Sequence, residues 1–321
     1  MSFSSNVKSE LSHHFGNARH CNIAEIAAII NMCGHISTTN GKFFIKIQTE
    51  NVTVARKYFT LIKKTFNIDS EINVRKNSQL KKNRVYTLFL RSGDNKVEKV
   101  LYATGILRRI DGKQTIKNNI YPLVVNSVCC KRSYIRGAFL ASGSVTDPEK
   151  TYHLEFVTDN LEYGEQLKEL INSFGLDSKI TKRKEHYIVY LKEGEQIVDL
   201  LNIMGAYVAL MDLENVRILK GMRNNVNRIV NCETANLNKT ITASVKQAED
   251  IELIDRIMGI EKLSPPLREI ARIRVEFPDS SLKELGAMLD PPVGKSGVNH
   301  RLRKIGEIAD DLREEKVNSN E

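Results

Sequence analysis

Residues 295–305 (KSGVNHRLRKI) concentrate the side chains of this chain that are best suited to bind a nucleic acid. Arginine and asparagine can form paired hydrogen bonds with a base edge in the major groove, whereas lysine neutralises phosphates. We therefore expect contacts with base edges from Ser296, Asn299 and Arg301, and contacts with phosphates from Lys295, Arg303 and Lys304. His300 fits either a phosphate or a base.

The residues around this segment predict a compact helical module that would present it. Ser264 followed by Pro265 is typical of a helix start, and Ser280 or Ser281 with Glu284 predicts a capping box. The sequence DPPVG at 290–294 predicts a turn before a helix over 296–308. We therefore predict an all-α domain at 239–321 that contains a helix-turn-helix at about 280–313, with the basic helix as the major-groove reader.

The preceding part of the chain is duplicated. The segments 26–34 (IAAIINMCG) and 135–143 (IRGAFLASG) each end in glycine, and TEN at 49–51 and TDN at 158–160 follow at the same offset of 109 residues. Each copy predicts the order helix, two strands, helix, two strands, helix. We expect an α+β domain over residues 1–220 with repeats at about 20–107 and 130–207 and a pseudo-two-fold axis.

The leading helix of each copy resembles that of the LAGLIDADG homing endonucleases, in which small residues let the two helices approach closely. In those enzymes an acidic residue before the final glycine of each helix holds the catalytic metal. Here the two positions are Cys33 and Ser142, and only Glu25 and Asp147 flank the region. The resemblance implies the nuclease scaffold without its catalytic residues.

The formal net charge of +9 suggests an anionic partner. Residues 228–321 contain 15 Lys and Arg against 17 Asp and Glu, so a surplus of +11 lies on residues 1–227. We expect Phe44 to face the core and Lys46 the solvent, so the strands predict a basic sheet face. This face either contacts the phosphates of a nucleic acid or is simply solvated. The candidate sheet residues are Lys42, Lys46, Arg75, Lys76, Arg84, Lys182, Arg183 and Lys184.

The five cysteines suggest reduced thiols and no disulfide framework. The cluster His13, His14, His20 and Cys21 matches no zinc spacing, so we expect neither a metal site nor a cofactor. The chain has no apolar run of roughly 18–20 residues, and its start (MSFSSNVKSEL) predicts a helix and not a secretion signal. We therefore expect a cytoplasmic, nucleoid-associated protein without membrane contact.

The whole chain resembles the WhiA family of bacterial regulators. The resemblance is carried by the start of the chain, NRIVNCETANLNKT at 227–240, LREIARIRVEFPDSSLKELGAMLD at 267–290, and KSGVNHRLRKI at 295–305. It implies a DNA-binding protein of Gram-positive bacteria, linked to sporulation, cell division and chromosome segregation.

The resulting expectation is a sequence-specific regulator of double-stranded DNA without nuclease activity, whose two domains are joined by a linker at 221–238. One alternative is a scaffold for another transcription or cell-division protein, in which only the C-terminal module binds DNA. A second alternative is a residual metal-dependent DNA endonuclease.

Overall fold

The computed structural model of the chain describes residues 2–39, 41–76, 84–91 and 96–318. The chain divides into two compact units, with the boundary between Lys220 and Gly221. Among the described residues, no helix is both long and apolar enough to cross a lipid bilayer.

The first unit begins with helix α1 (Phe3–His13), whose Val7 and Leu11 are buried. The first repeat then consists of α2 (Arg19–Cys33), β1 (Gly34–Thr39), β2 (Lys42–Thr49), α3 (Val52–Phe66), β3 (Ser70–Lys76), β4 (Arg84–Leu90) and α4 (Lys96–Ala103). Its four strands form an antiparallel sheet in the order β1-β2-β4-β3. The predicted order of elements is confirmed.

The second repeat has the same order and the same sheet topology. It consists of α5 (Val128–Ser142), β7 (Gly143–Val145), β8 (Leu154–Thr158), α6 (Leu161–Asn172), β9 (Lys179–Arg183), β10 (His186–Leu191) and α7 (Gly194–Met204), with strand order β7-β8-β10-β9. A hairpin of β5 (Leu107–Ile110) and β6 (Lys113–Ile116) and a short 3₁₀ turn (Pro122–Val125) lie between the repeats. The sequence did not predict this hairpin.

The duplicated TEN and TDN tripeptides form the same strand-to-helix turn in both repeats. The Asn51 side chain accepts hydrogen bonds from the backbone N–H groups of Thr53 (2.9 Å) and Val54 (3.3 Å) and thereby caps α3. Asn160 caps α6 in the same way through the N–H of Tyr163 (3.0 Å). In each tripeptide the threonine hydroxyl also accepts from the asparagine N–H at 3.3 Å. Both repeats therefore turn from strand to helix by local hydrogen bonding.

Helices α2 and α5 pack against each other at the centre of the first unit. A Cβ atom added at Gly137 of α5 would lie 2.5 Å from the carbonyl oxygen of Glu25 and 3.1 Å from the Cβ of Ala28. Ala28 and Gly137 are equivalent positions of the two repeats, since they are 109 residues apart. The glycine therefore permits the close approach of the helices at their pseudo-two-fold contact.

A buried ionic cluster joins the two repeats, and no pattern in the sequence predicted it. Glu25 of α2 is fully buried and pairs with Lys57 of α3 (Nζ to Oε1, 2.6 Å) and with Arg136 of α5 (Nε to Oε2, 3.4 Å). Lys57 also donates to the carbonyl of Leu11 (2.9 Å), and Arg136 donates to that of Met204 (2.9 Å). Burial lowers the pKa of Lys57, an effect that Glu25 opposes.

Strand β2 corrects one expectation of the sequence analysis. Phe44 and Lys46 were expected on opposite faces, but positions two apart share a face of a strand. The core side of β2 is instead made by Ile45 and Ile47, which are buried, while Phe44 and Lys46 are half-buried on the other side.

Helix α8 (Tyr207–Ile257) is continuous for 51 residues and includes the predicted linker at 221–238. This segment is therefore helical and not an irregular connection, although its side chains are exposed. Residues 222–258 contain neither glycine nor proline, so nothing in the sequence ends the helix.

The second unit contains the remainder of α8, a short 3₁₀ turn (Ile260–Lys262), α9 (Pro265–Glu276), α10 (Leu282–Ala287) and α11 (Lys295–Asn318). Its core combines Ile251 and Ile254 of α8 with apolar residues of the later helices: Leu263, Ile270, Ala271, Leu285, Leu289, Val298, Leu302, Ile305 and Ala309. The predicted helical module is confirmed, and its last helix extends further than the predicted 296–308.

Candidate nucleic-acid interface

Helices α10 and α11 form the predicted helix-turn-helix. Gly286 of α10 is the point of closest approach, because its carbonyl accepts a hydrogen bond from the N–H of Val293 at 2.9 Å. A Cβ atom at this position would lie only 2.0 Å from the Val293 carbonyl oxygen. The absence of a side chain therefore lets the turn fold against α10 and fixes where α11 begins.

The first turn of α11 is oriented by its apolar side. Val298, Leu302 and Ile305 are buried in the unit's core. Since successive residues of a helix are 100° apart, Ser296, His300 and Arg303 lie on the opposite side. All three are exposed, as are Lys295, Asn299 and Lys304. The helix therefore presents a polar and basic face to solvent from its N-terminal turns, where a reading helix contacts bases.

Arg301, predicted to contact a base edge, does not lie on this exposed face. Its side chain is only 24% exposed, and its guanidinium Nη1 lies 3.9 Å from Oε2 of Glu269 on α9. Arg301 follows the buried Val298 by three residues, so the helix phase turns it toward α9. Arg303 is instead 70% exposed and lies 3.3 Å from Glu307 one turn along the same helix.

A cleft of about 450 Å³ lies beside the N-terminal ends of α10 and α11. Lys239 of α8, Lys283 of α10 and Lys295 of α11 line it together with Asn299. The free backbone N–H groups of helix N-termini also favour anions. Lys239 and Lys283 were not among the sequence candidates, because only the fold brings α8 next to α11.

The capping box predicted at the start of α10 is present with Ser281 as the cap. The backbone N–H of Ser281 donates to Oε2 of Glu284 at 2.8 Å, and the N–H of Glu284 donates to the Ser281 hydroxyl at 3.4 Å. Hydrogen bonding of the Glu284 carboxylate with the backbone N–H and then the side chain of Ser281 lowers the pKa of Glu284. The α10 N-terminus is therefore fixed next to the cleft.

The basic residues of the first repeat are divided between the two faces of its sheet. Register and alternation place Lys42, Lys46 and Arg75 on the face away from the buried Ile45 and Ile47. Arg84 lies at an end of β4 on the other face and is exposed. The backbone of Lys76 pairs with that of Arg84, and its side chain lies outside the described residues.

The second repeat also divides its candidates. Lys182 is opposite Tyr187 on the face that carries Val189, whereas Arg183 is on the reverse face, and Lys184 is in the β9–β10 turn with φ of +57°. All three are exposed. The structure thus brings together Lys42, Lys46 and Arg75 on one face, and it does not unite all eight predicted residues.

The positions that correspond to the nuclease carboxylates lie at the C-terminal ends of the central helices. The thiol of Cys33 donates to the carbonyl of Ile29 at 3.2 Å, and burial raises its pKa to about 12. The Ser142 hydroxyl is buried and has no hydrogen-bond partner within the described part of the chain. Burial lowers the pKa of Lys8 of α1, an effect that Cys33 opposes.

At the other end of the same helices, the structure brings His20 and Cys21 together with Cys129 and Cys130. Of the sequence cluster only His20 and Cys21 belong to this group, while His13 and His14 do not. Burial, and then the adjacent thiols of Cys21 and Cys129, raise the pKa of Cys130 to about 11. Spacing along the chain could not reveal a group drawn from both repeats.

Comparison with known families agrees with this architecture. Three family descriptions match consecutive parts of the chain: the WhiA N-terminal LAGLIDADG-like domain at residues 19–107, the WhiA LAGLIDADG-like domain at 131–223, and the WhiA C-terminal HTH domain at 226–309. The chain belongs to the WhiA family.

Two relatives show how far the similarity extends. A "Probable cell division protein WhiA" of Lachnoclostridium phytofermentans is 54% identical over 316 residues, which cover 98% of this chain and 100% of the relative. One of Clostridium botulinum is 52% identical over 314 residues, with 98% and 99% covered. The similarity to both relatives therefore extends over nearly the whole chain.

A solved structure supports the fold along the whole chain. The crystal structure of full-length DUF199/WhiA from Thermotoga maritima is 25% identical and has a TM-score of 0.60. The match covers 97% of this chain and 99% of that one. The duplicated LAGLIDADG-like domain followed by a helix-turn-helix is thus the architecture of the WhiA family.

Proposed function

We propose that the protein is a sequence-specific regulator that binds double-stranded DNA through α11 and controls genes of cell division. The observation that carries this proposal is the exposed face of α11 with Ser296, Asn299, His300 and Arg303, held at a fixed angle by a packed helix-turn-helix. The cell-division role comes from the names of the relatives. Its site of action would be the nucleoid.

We propose that the contacts of α11 are divided between bases and phosphates. Ser296, Asn299, His300 and Arg303 occupy the outer face and would contact base edges, since a helix inserted into the major groove turns this face toward the bases. Lys295, Lys283 and Lys239 line the cleft and would contact phosphates, together with Lys304. Arg301, held near Glu269, would position α11 and contribute less to base recognition.

The test is a selection from a random duplex library by the full-length protein. We expect a common motif to be enriched, because base contacts on one helix face discriminate by about 1–3 kcal/mol per good pair. If the selected pool retains the base composition of the starting library, the proposal of sequence-specific binding is wrong.

We further propose that the protein does not cleave DNA. Magnesium requires oxygen ligands, preferably carboxylates, and the two positions on the helix pair provide a thiol of high pKa and a hydroxyl, with the Lys8 ammonium nearby. Supercoiled plasmid incubated with the protein and Mg²⁺ or Mn²⁺ should remain supercoiled. Metal-dependent nicking that survives an exchange of Ser142 for alanine and of Cys33 for serine would reveal a different nuclease site.

A second DNA contact is proposed for the sheet face with Lys42, Lys46 and Arg75. These three residues share one face of an antiparallel sheet, which suits contact with a phosphate backbone. The competing interpretation is that this unit binds a protein partner and only α11 binds DNA. Reversing the charge of these three residues distinguishes DNA binding from protein binding by this face.

A further inference from the structure

Four metal-ligating side chains meet at the N-terminal ends of the two central helices. His20 and Cys21 are in the first turn of α2, and Cys129 and Cys130 are in the first turn of α5. Their ligand atoms all lie within 4.8 Å of one another. The His20 Nδ1 atom is 3.0 Å from the Cys130 sulfur and 3.5 Å from the Cys21 sulfur.

The four residues follow the internal symmetry of the chain. His20 and Cys129 are 109 residues apart, as are Cys21 and Cys130, and this is the offset that relates the two repeats. Each repeat therefore contributes two adjacent side chains from the same helical positions. The cluster lies where the pseudo-two-fold axis brings the two helix starts together, at the opposite end of the helices from Cys33 and Ser142.

The donors match the preferences of a zinc ion. Structural zinc sites are four-coordinate and often use three thiolates and one imidazole. With Zn–S of about 2.3 Å and Zn–N of about 2.0–2.1 Å, a tetrahedron has ligand-to-ligand distances of about 3.5–3.8 Å. The distances between ligand atoms, from 3.0 Å up to 4.8 Å, bracket this range. Side-chain movements of less than about an ångström would therefore complete the site.

The surroundings suit an anionic metal centre with an entry path. Three thiolates and one Zn²⁺ carry a net charge of −1. A cavity of about 340 Å³ is lined by His20, Cys21 and Cys129 and also by the positively charged Arg132 and Arg136. The N-terminal ends of two helices add favourable partial charge. Cys21 and Cys130 are buried while His20 and Cys129 are exposed, so an ion can enter from solvent.

We propose that His20, Cys21, Cys129 and Cys130 form a structural zinc site that fastens the two repeats of the first unit together. One ion bound to both helices would hold the N-terminal ends of α2 and α5 together, beyond the close contact at Gly137. Since the ion binds the folded state, it stabilises the first unit by mass action. This proposal does not depend on DNA binding, and it revises the expectation of no metal site.

The test measures zinc in the full-length protein after anaerobic reduction and titration with Zn²⁺ against a chromophoric chelator. We expect about one zinc per chain and a higher melting temperature of the zinc-loaded protein. His20→Ala and Cys129→Ser change exposed positions and should each weaken zinc binding at least about tenfold. Co²⁺ in place of Zn²⁺ should give the visible absorption of a tetrahedral thiolate site.

Two cysteines outside the cluster provide matched controls. Cys33→Ser and Cys232→Ser should retain the zinc stoichiometry and affinity of the parent protein, because both residues lie outside the group. The proposal is overturned if the reduced parent binds no zinc, or if the control variants lose zinc as strongly as Cys129→Ser. It is also overturned if the purified protein holds a disulfide within the cluster that reduction and zinc do not replace.

Discussion

The two units of this chain differ in how their basic residues are arranged. The first unit, residues 1–220, carries a net charge of +10, but its candidate basic side chains are divided between two faces of each sheet. Residues 221–321 contain 16 Lys and Arg against 17 Asp and Glu, a net charge of −1, yet their basic and polar side chains converge on one face of α11 and the cleft beside it. Net charge thus indicates a polyanionic partner, whereas specificity depends on a fixed local geometry.

The largest expected effect is on the stability of the first unit, and it should leave DNA recognition by the second unit intact. Glu25→Ala leaves Lys57 and Arg136 buried without their carboxylate, so we expect a loss of about 3–5 kcal/mol in the free energy of unfolding of the first unit. Chemical denaturation would measure it. Glu195→Ala, at an exposed position of α7, should change the stability by less than about 0.5 kcal/mol.

Sequence-specific DNA binding should survive Glu25→Ala at temperatures where the first unit remains folded. If the stability of Glu25→Ala equals that of Glu195→Ala, the ionic cluster contributes nothing and the account of the repeat interface is wrong.

The next effect acts on the second unit. Gly286→Ala places a methyl group 2.0 Å from the Val293 carbonyl oxygen, so we expect a destabilisation of about 1–3 kcal/mol and a loss of DNA affinity. Gly221→Ala is a matched control, because an added Cβ there meets no atom within 4 Å. The helix-turn-helix geometry would be contradicted by a Gly286→Ala protein that melts and binds DNA like the parent.

Charge reversal on the first sheet tests whether this unit contacts DNA. In the triple variant Lys42→Glu, Lys46→Glu and Arg75→Glu, the proposed phosphate contacts are lost, so the dependence of log affinity on log salt should become shallower by about 2–3 units. The ratio of affinities for the selected site and random DNA should change little. An unchanged salt slope would favour a protein partner for this face.

A smaller effect is expected from Lys295, at the N-terminal end of α11. Lys295 lines the cleft beside Lys239 and Lys283, so Lys295→Ala should weaken binding to specific and random DNA alike and lower the salt slope by about one unit. Fluorescence anisotropy at several salt concentrations measures both. A loss confined to the selected site would show that Lys295 contacts a base.

Much of the fold could be predicted because its determinants are local and repeated. The asparagine caps at Asn51 and Asn160, the glycines that end α2 and α5, and the Ser281 capping box each act within a few residues. Duplication helped further, because each copy supported the assignment of the other.

The features that the sequence analysis missed depend on which distant segments become neighbours. The phase of α11 against α9 determines that Arg301 is half-buried near Glu269, and the sequence of α11 alone does not contain that information. The cleft lysine Lys239 and the cluster of His20 with Cys129 likewise depend on which helices become neighbours. The misassignment of Phe44 and Lys46 was different, since strand alternation alone places them on one face.

The most direct test of the central claim compares Arg303→Ala with Arg301→Ala in the full-length protein, on the selected site and on random DNA. Because Arg303 lies on the exposed face, we expect its loss to cost about 1–3 kcal/mol on the selected site and much less on random DNA. Arg301→Ala should change the ratio of the two affinities less, and Arg272→Ala on α9, also exposed, should leave it unchanged. If Arg303→Ala weakens both DNAs equally, or if Arg301→Ala alone removes specificity, the exposed face of α11 is not the reading surface.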